Sequence, residues 1–402
     1  MRAFKNSGIE WIGEIPQSWE LRRIKTNFDI IAGATPKSGE AHFWNGDIPW
    51  ITPADFSTED VYVSIGHKSI TQEGLESCAT SLIPEGSIVF SKRAPVGLVA
   101  INSNPICTNQ GCLSCVPKDA VDVKYYYYVM SIYGEQFDLF ASGTTFKEIS
   151  ADAFANFKLP YPSYETQKMI VSFLDEKCAE IDVLIDAKEK NNALLKERRQ
   201  SMIYEAVTKG LDPTVPMKDS GVKWIGEIPE KWRTVRAKYV AAITNGADPK
   251  TEGDTPVYGS GSDSFRTCGE YKDGPAVLIG RKGATLHIPH YVDGKYWNVD
   301  TAFDVKTDET KYLLKFYYYT SICFDYKLYI STTTLPSMTQ TNYDNMLLPL
   351  PSIIEQQKIV DYLDNSLEKI DELVLQSDTQ IQKLKEYRQS LIYEMVTGKI
   401  EV

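Results

Sequence analysis

The stretch that decides the fold is LPYPSYETQKMIVSFLDEKCAEIDVLIDAKEKNNALLKERRQSMIYEAVTKG, Leu159–Gly210, because it occurs twice. Its second copy, LPLPSIIEQQKIVDYLDNSLEKIDELVLQSDTQIQKLKEYRQSLIYEMVTGK, spans Leu348–Lys399, and one offset of 189 residues covers the pair without a gap. Both copies close on Arg-Gln-Ser-x-Ile-Tyr-Glu, at Arg199–Glu205 and Arg388–Glu394. Each reads as helix. The prolines at 160 and 162, and at 349 and 351, end an extended lead-in, and Ser163 or Ser352 is placed to cap. Apolar residues recur at helical spacing: Ile170, Leu174, Ile181, Leu184, Leu195 and Met202 in one copy, Leu363, Ile370, Leu373, Leu384 and Leu391 in the other. No Gly or Pro intervenes before Gly210 or Gly398. About 43 helical residues at a rise of about 1.5 Å make a rod of roughly 64 Å. A small domain does not bury such a rod along its length, so the two rods are expected to pair as a coiled coil.

Charge gives the direction. The first half of each rod is acidic (Asp175, Glu176, Glu180, Asp182, Asp186; Asp361, Asp364, Glu368, Asp371, Glu372), and the second half carries Lys196, Arg198, Arg199 or Lys383, Lys385, Arg388. Antiparallel pairing sets acid against base. It also brings the polar middles, Lys188–Asn192 and Ser377–Gln380, together. The alternative is two separate amphipathic helices, each lying on its own domain.

The duplication extends beyond the rods. GIEWIGEIPQSWELRRIK at 8–25 returns as GVKWIGEIPEKWRTVRAK at 221–238, and Gly33-Ala-Thr-Pro-Lys37 returns as Gly246-Ala-Asp-Pro-Lys250. Further on, Arg93 aligns with Arg281, and Thr144-Thr145 with Thr333-Thr334; the first unit is longer, mostly within 53–85. The order is globular unit (1–158), rod (159–210), globular unit (211–347), rod (348–402). Short apolar runs broken by Gly and Pro (Ile83–Phe90, Val96–Ile101, Cys107–Val116; Ala276–Ile279, Trp297–Val305) predict strands, and Tyr125–Met130 and Leu313–Tyr319 predict short aromatic helices. The fold class expected is α+β: two mixed β-rich units with two long helices in an antiparallel coiled coil.

At 402 residues and 43% hydrophobic content the chain has the make-up of a two- or three-domain globular protein. The opening Met-Arg-Ala-Phe-Lys-Asn-Ser-Gly lacks the apolar core of a signal peptide, no run is long enough to span a membrane, and seven cysteines, an odd number, suit a reducing cytosol. Cys112-x-x-Cys115 has no second pair and is read as buried strand thiols; His287-x-x-His290 flanks Pro289 and is not expected to bind metal. Phosphate-loop, amino-methyltransferase, nucleophile-elbow and His-Glu-x-x-His motifs are missing, which points to recognition rather than catalysis. A net charge of −11 is unusual for a chain that binds nucleic acid, since phosphate neutralisation drives such binding, but much of the acid sits on the rods. The polar residues left on loops are Lys37, Lys92, Arg93, Asn109, Gln110, Thr144, Thr145 and Lys147 in the first unit, and Lys250, Arg281, Lys282, Thr333 and Thr334 in the second. Arg and Lys suit phosphate or guanine, Asn and Gln suit adenine, and hydroxyls suit phosphate or either base. Each could equally be a solvated turn or a structural hydrogen bond. A shared position after a strand suggests phosphate contact for Arg93 and Arg281.

Taken together, these pieces resemble the specificity subunit of type I restriction-modification systems. The motifs that carry the resemblance are Trp-Ile-Gly-Glu-Ile-Pro (Trp11–Pro16, Trp224–Pro229), Gly-Ala-Thr-Pro-Lys, Phe43-Trp-Asn-Gly-Asp-Ile-Pro-Trp-Ile51, Leu-Pro-x-Pro-Ser before a Gln-rich helix start (Gln167; Gln356-Gln357), and the closing Arg-Gln-Ser-x-Ile-Tyr-Glu-x-Val-Thr. It covers nearly the whole chain. It implies a non-catalytic chain whose globular units are target recognition domains, each reading half of a split double-stranded DNA target. It implies that the rods are spacers that dock two modification subunits, with Ile170, Leu174, Ile181, Leu184, Leu363, Ile370, Leu373 and Leu384 on the helices concerned. The partners carry S-adenosylmethionine for adenine N6 methylation, and restriction subunits add ATP- and Mg-dependent translocation and cleavage. No cofactor is implied on this chain, and a bacterial or archaeal cytoplasm is the implied location. One departure is Gly259-Ser-Gly261, which replaces the Trp50-Ile-Thr52 region, so equal half-sites are not implied. A coiled-coil scaffold without a DNA role, or a stand-alone DNA-modifying enzyme, are the alternative functions.

Overall fold

In a computed structural model, which describes residues 3–57, 60–93, 95–118, 120–143, 147–261, 263–332 and 335–401, both rods are unbroken helices. We label the short aromatic helices α1 (Val123–Ser131) and α3 (Leu314–Ile322), and the rods α2 (Tyr164–Lys209) and α4 (Ile353–Val396). The serine caps form. Ser163 Oγ accepts from the Thr166 amide at 3.3 Å. Ser352 Oγ accepts from the Glu355 amide at 3.4 Å, while the Glu355 carboxylate accepts from the Ser352 amide at 3.1 Å, a reciprocal capping box. The rods stop where Gly210 and Gly398 take φ of +76° and +72°, a left-handed turn that costs glycine nothing.

The chain divides into two compact units, Met1–Ala187 with Gln380–Val402, and Lys188–Thr379. Each unit thus holds one globular body, the start of the rod that follows it and the end of the other rod. The boundaries expected at 158, 210 and 347 separate rods from globular bodies; in the packed molecule rods and bodies share cores.

In the first unit the strands of the two larger sheets are β1 (Phe28–Ala32), β2 (Trp44–Ile51), β3 (Tyr62–Val63), β4 (Lys68–Ile70), β5 (Ile88–Lys92), β6 (Val96–Asn102), β7 (Cys107–Thr108) and β8 (Cys112–Pro117). They form a sheet of order β1-β8-β5-β6-β3 and a smaller one, β7-β2-β4. The run expected from Cys107 to Val116 is interrupted at 109–111 by a turn, which places Asn109 and Gln110 outside the strands. Cys112 and Cys115 are buried on β8, and burial pushes both thiols well above their ordinary range.

The second unit repeats the plan with β9 (Ala241–Asn245), β10 (Thr255–Tyr258), β11 (Ser264–Cys268), β12 (Lys272–Asp273), β13 (Ala276–Gly280), β14 (His290–Val292), β15 (Lys295–Asn298) and β16 (Ala302–Thr307). The sheets run β9-β16-β13-β14 and β11-β10-β15-β12. The extra length at 53–85 supplies β3 and β4; β3 adds a strand to the edge of the main sheet, pairing parallel with β6.

The same three clasps fix the helices in both units. Buried Gln167 donates to Pro162 O (3.1 Å) and accepts from the Asp122 amide (2.9 Å), while Gln356 donates to Pro351 O (3.1 Å) and accepts from the Leu313 amide (2.8 Å). Asp175 takes the Lys124 ammonium at 2.7 Å and the Tyr128 hydroxyl at 2.6 Å; Asp364 takes Lys315 at 2.7 Å and the Tyr319 hydroxyl. At the rod ends, the Tyr393 hydroxyl donates to Trp11 O (3.2 Å), and the Tyr204 hydroxyl to Ile225 O (3.1 Å). The closing Tyr of each rod therefore binds a Trp-Ile-Gly-Glu-Ile-Pro entry.

The rods pair antiparallel. In the first unit Asp182 meets Arg388 at 3.0 Å; in the second Asp371 meets Arg199 at 3.1 Å, and Asn192 donates to Asp378 at 2.7 Å. Ile170, Leu174, Ile181 and Ile185 pack with Ile381, Leu391 and Ile392, and Leu363 and Ile370 with Ile203 and Val207. The seam departs from the expected one at Leu184 and Leu373, each 51% exposed. Their neighbours Ile185 and Val374 turn inward instead. Leu184 and Leu373 flank the buried stripe, and a residue one step along a helix points about 100° away.

Candidate nucleic-acid interface

The basic pairs close the central strand of each main sheet. At the end of β5, Ser91 is buried, donating to Pro95 O (2.7 Å) and accepting from the Leu98 amide (2.8 Å). The Lys92 amide then donates to Gly111 O (2.9 Å), and Lys92 O accepts from the Ile149 amide (3.0 Å). In the second unit the Arg281 amide donates to Thr301 O (2.8 Å), and Arg281 O accepts from the Met338 amide (2.9 Å). The bridges Arg93–Glu148 and Lys282–Ser337 complete the match. Lys92 is thus the counterpart of Arg281, and Arg93 of Lys282. The expected equivalence of Arg93 with Arg281 is one residue out of register: two adjacent cations in opposite order align equally well as letters, and only the ladder distinguishes them.

Each pair is tied to a carboxylate. Lys92 and Arg93 reach Glu148 at 2.7 and 3.5 Å, and the hydrogen bond from Lys92 holds the Glu148 carboxyl below its ordinary value. Lys282 reaches the Asp300 carboxylate at 3.6 Å, while Arg281 donates to Asp300 O at 3.3 Å and lies over the Phe303 ring. Lys147 pairs with Asp138. Asn109 spends its side-chain oxygen on the Gly111 amide at 2.8 Å, and Gln110 accepts from the Thr35 hydroxyl. Thr144, Thr145, Thr333 and Thr334 lie outside the described residues.

The loops of Lys37 and Lys250 join the same end of each body. Gly33 and Gly246 sit so close to the neighbouring turn that a Cβ would stand 2.2 Å from Asn109 O or 2.1 Å from Val299 O. The next amides, of Ala34 and Ala247, donate to Thr108 O and Asn298 O at 3.0 Å each. Each body therefore gathers its Gly-Ala-x-Pro-Lys loop, its basic pair and the turn before β8 or β16 in one place.

Trp50 and Trp297, which the sequence offers only as part of a motif and as the start of a strand, take a part in the site that it does not assign. The Trp50 indole donates to Ala34 O at 3.0 Å and the Trp297 indole to Ala247 O at 2.7 Å. They come from different strands. Trp50 on β2 lies beside Cys107 on β7, whereas Val257 on β10 lies beside Trp297 on β15. The large and small residues have exchanged strands. Val257 and Tyr258, rather than Gly259–Gly261, thus fill the place of Trp50 and Ile51. No sequence signal exposes this, since the two tryptophans do not align.

Among the described residues, no cluster of His, Cys, Asp or Glu could hold a metal ion, and no helix is long and apolar enough to cross a membrane. A duplicated β-rich body clasped by antiparallel rods, with basic loops gathered at one end of each sheet, defines a recognition chain with two repeated heads. Residues 16–194 and 229–383 match the model of the type I restriction modification DNA specificity domain, and the chain belongs to this family as a specificity subunit, the non-catalytic member of its system. It is 26% identical to the MjaIX specificity subunit of Methanocaldococcus jannaschii over 97% of this chain and 95% of that one. It is 29% identical to the EcoR124I/EcoR124II specificity subunit of Escherichia coli over 43% and 42% of the respective chains. The fold matches a solved chain of a type I R-M system with a TM-score of 0.75, at 16% identity, covering 96% of this chain and 99% of that one. It also matches the HsdS subunit from Thermoanaerobacter tengcongensis with a TM-score of 0.52, at 16% identity, over 96% and 98%.

Proposed function

We propose that the two globular bodies, 1–158 and 211–347, are target recognition domains that each read one half of a split double-stranded DNA target. The rods, 159–210 and 348–402, dock two modification subunits, with restriction subunits joining the same assembly. S-adenosylmethionine, ATP and Mg belong to those partners, and the complex works in a bacterial or archaeal cytoplasm. One observation carries the reading: both bodies use identical backbone bonds to bring a lysine loop and a basic pair together, while the surrounding side chains differ. A shared scaffold for phosphates with divergent reading surfaces is what two unlike half-sites require. The half-exposed Leu184 and Leu373 serve on the docking faces of the rods.

The test is titration of the chain, alone and with its modification subunits, against duplexes over a salt series. Specific, salt-dependent binding that needs the partner supports the reading. Methyl transfer by the chain alone would make it an enzyme, and no binding in either state would leave a scaffold.

A further inference from the structure

The two Gly-Ala-x-Pro-Lys loops are held at the same three residues by side chains from positions that do not align. In the first unit the Trp50 indole holds Ala34 O, Gln110 engages Thr35, and the Trp44 indole donates to Lys37 O at 3.2 Å. In the second the Trp297 indole holds Ala247 O, Arg266 pairs with Asp248 at 2.8 Å, and the Glu270 carboxylate accepts from the Lys250 amide at 2.7 Å. None of these anchors aligns with its counterpart, yet the anchored residues do, and the indoles hold the same carbonyl in each loop. Meanwhile Lys37 and Lys250 are exposed, and among the described residues neither ammonium is ion-paired, whereas Lys92, Arg93, Lys147 and Lys282 all have carboxylate partners.

A rigid backbone under an unpaired exposed lysine suits a fixed external anion, since the ordering of the loop is complete before contact. We propose that Lys37 and Lys250 are the duplicated DNA phosphate contacts, rather than Arg93, which is paired with the Glu148 carboxylate, and Arg281, which is held on the Asp300 carbonyl and the Phe303 ring, and that Trp50 and Trp297 are positioning residues that set their loops. This rests on the proposal that the bodies read DNA.

The test uses the chain in complex with its modification subunits and a pool of random-sequence duplexes, across 50 to 200 mM salt. Each lost phosphate contact lowers the salt slope by about 0.9, so the affinity ratio across that range should shrink about three- to fourfold in Lys37→Ala and again in Lys250→Ala. Trp50→Phe removes the indole N–H and keeps most of the ring. It should weaken binding in the native background and not in the Lys37→Ala background, a coupling that a merely structural role would not produce. Lys37 and Lys250 are surface residues, so their variants stay informative even if the Trp50 variant unfolds. Unchanged affinity and slope in both lysine variants would overturn the proposal, as would loss confined to single base pairs. An equal Trp50→Phe penalty in both backgrounds would remove the positioning role. If the native complex shows no salt-dependent binding to any duplex, the DNA reading itself fails.

Discussion

Single buried polar side chains do much of the joining in this chain. Gln167 and Gln356 each satisfy an amide at the start of the preceding body's aromatic helix segment and a proline carbonyl at the rod entry. Gln167→Met, of similar volume, leaves those groups buried without partners. We expect a loss of about 1–3 kcal/mol, and the same for Gln356→Met, read by denaturant unfolding. Asp55 is a second case. Burial pushes its carboxyl up, but hydrogen bonds from the Thr52 hydroxyl and amide and from the His67 amide and ring outweigh it and hold it below the ordinary aspartate value. A depressed folded value means the contribution is present above the unfolded value of about 3.9 and disappears as pH falls through the folded one. Hydrogen-exchange protection of the Thr52 and His67 amides, relative to the global core, should be flat above about pH 4 and decline below it. Asp55→Asn should remove that dependence.

At the scale of the elements, the rods separate stability from docking. Ile181 and Ile370 are buried in their seams, at 6% and 7% exposure. Truncating either to Ala should cost about 2–5 kcal/mol. Leu184→Asp and Leu373→Asp, both on exposed positions, should change stability by no more than about 0.5 kcal/mol. If these leucines face the modification subunits, the same variants should recruit fewer of them at an unchanged melting temperature, measured by size-exclusion chromatography with light scattering. The periodicity placed Leu184 and Leu373 in the stripe because leucine fits there as well as its neighbours do. Rotation of the helix about its axis is decided by which side chains the globular body presents, and that is a long-range fact.

For the whole molecule, the division into two units means that a recognition body can be exchanged only together with what it grips. Replacing 24–157 by the matching segment of a relative keeps the Trp-Ile-Gly-Glu-Ile-Pro entry and the rods. The hybrid complex should methylate a target changed at one half-site and conserved at the other, mapped by sequencing methylated adenines. Change at both ends would contradict separate reading by the two bodies.

The duplication, the two helices with their capping serines and terminal glycines, the inner strands of the main sheets and the antiparallel sense of the rods are all legible in the amino-acid order. These follow from local propensity, from periodicity and from charge order along one helix. Which partners meet is a matter of packing. It set Lys92 rather than Arg93 opposite Arg281, moved the anchoring indole from β2 to β15, and tied each entry motif to the end of a rod that is distant in sequence or belongs to the preceding repeat. The carboxylates that occupy the sequence's favoured arginine pairs, and the lysines left without such partners, are likewise products of packing. A residue's type limits what it can bond, but its actual partner depends on which distant backbone the fold carries within about 3 Å of it.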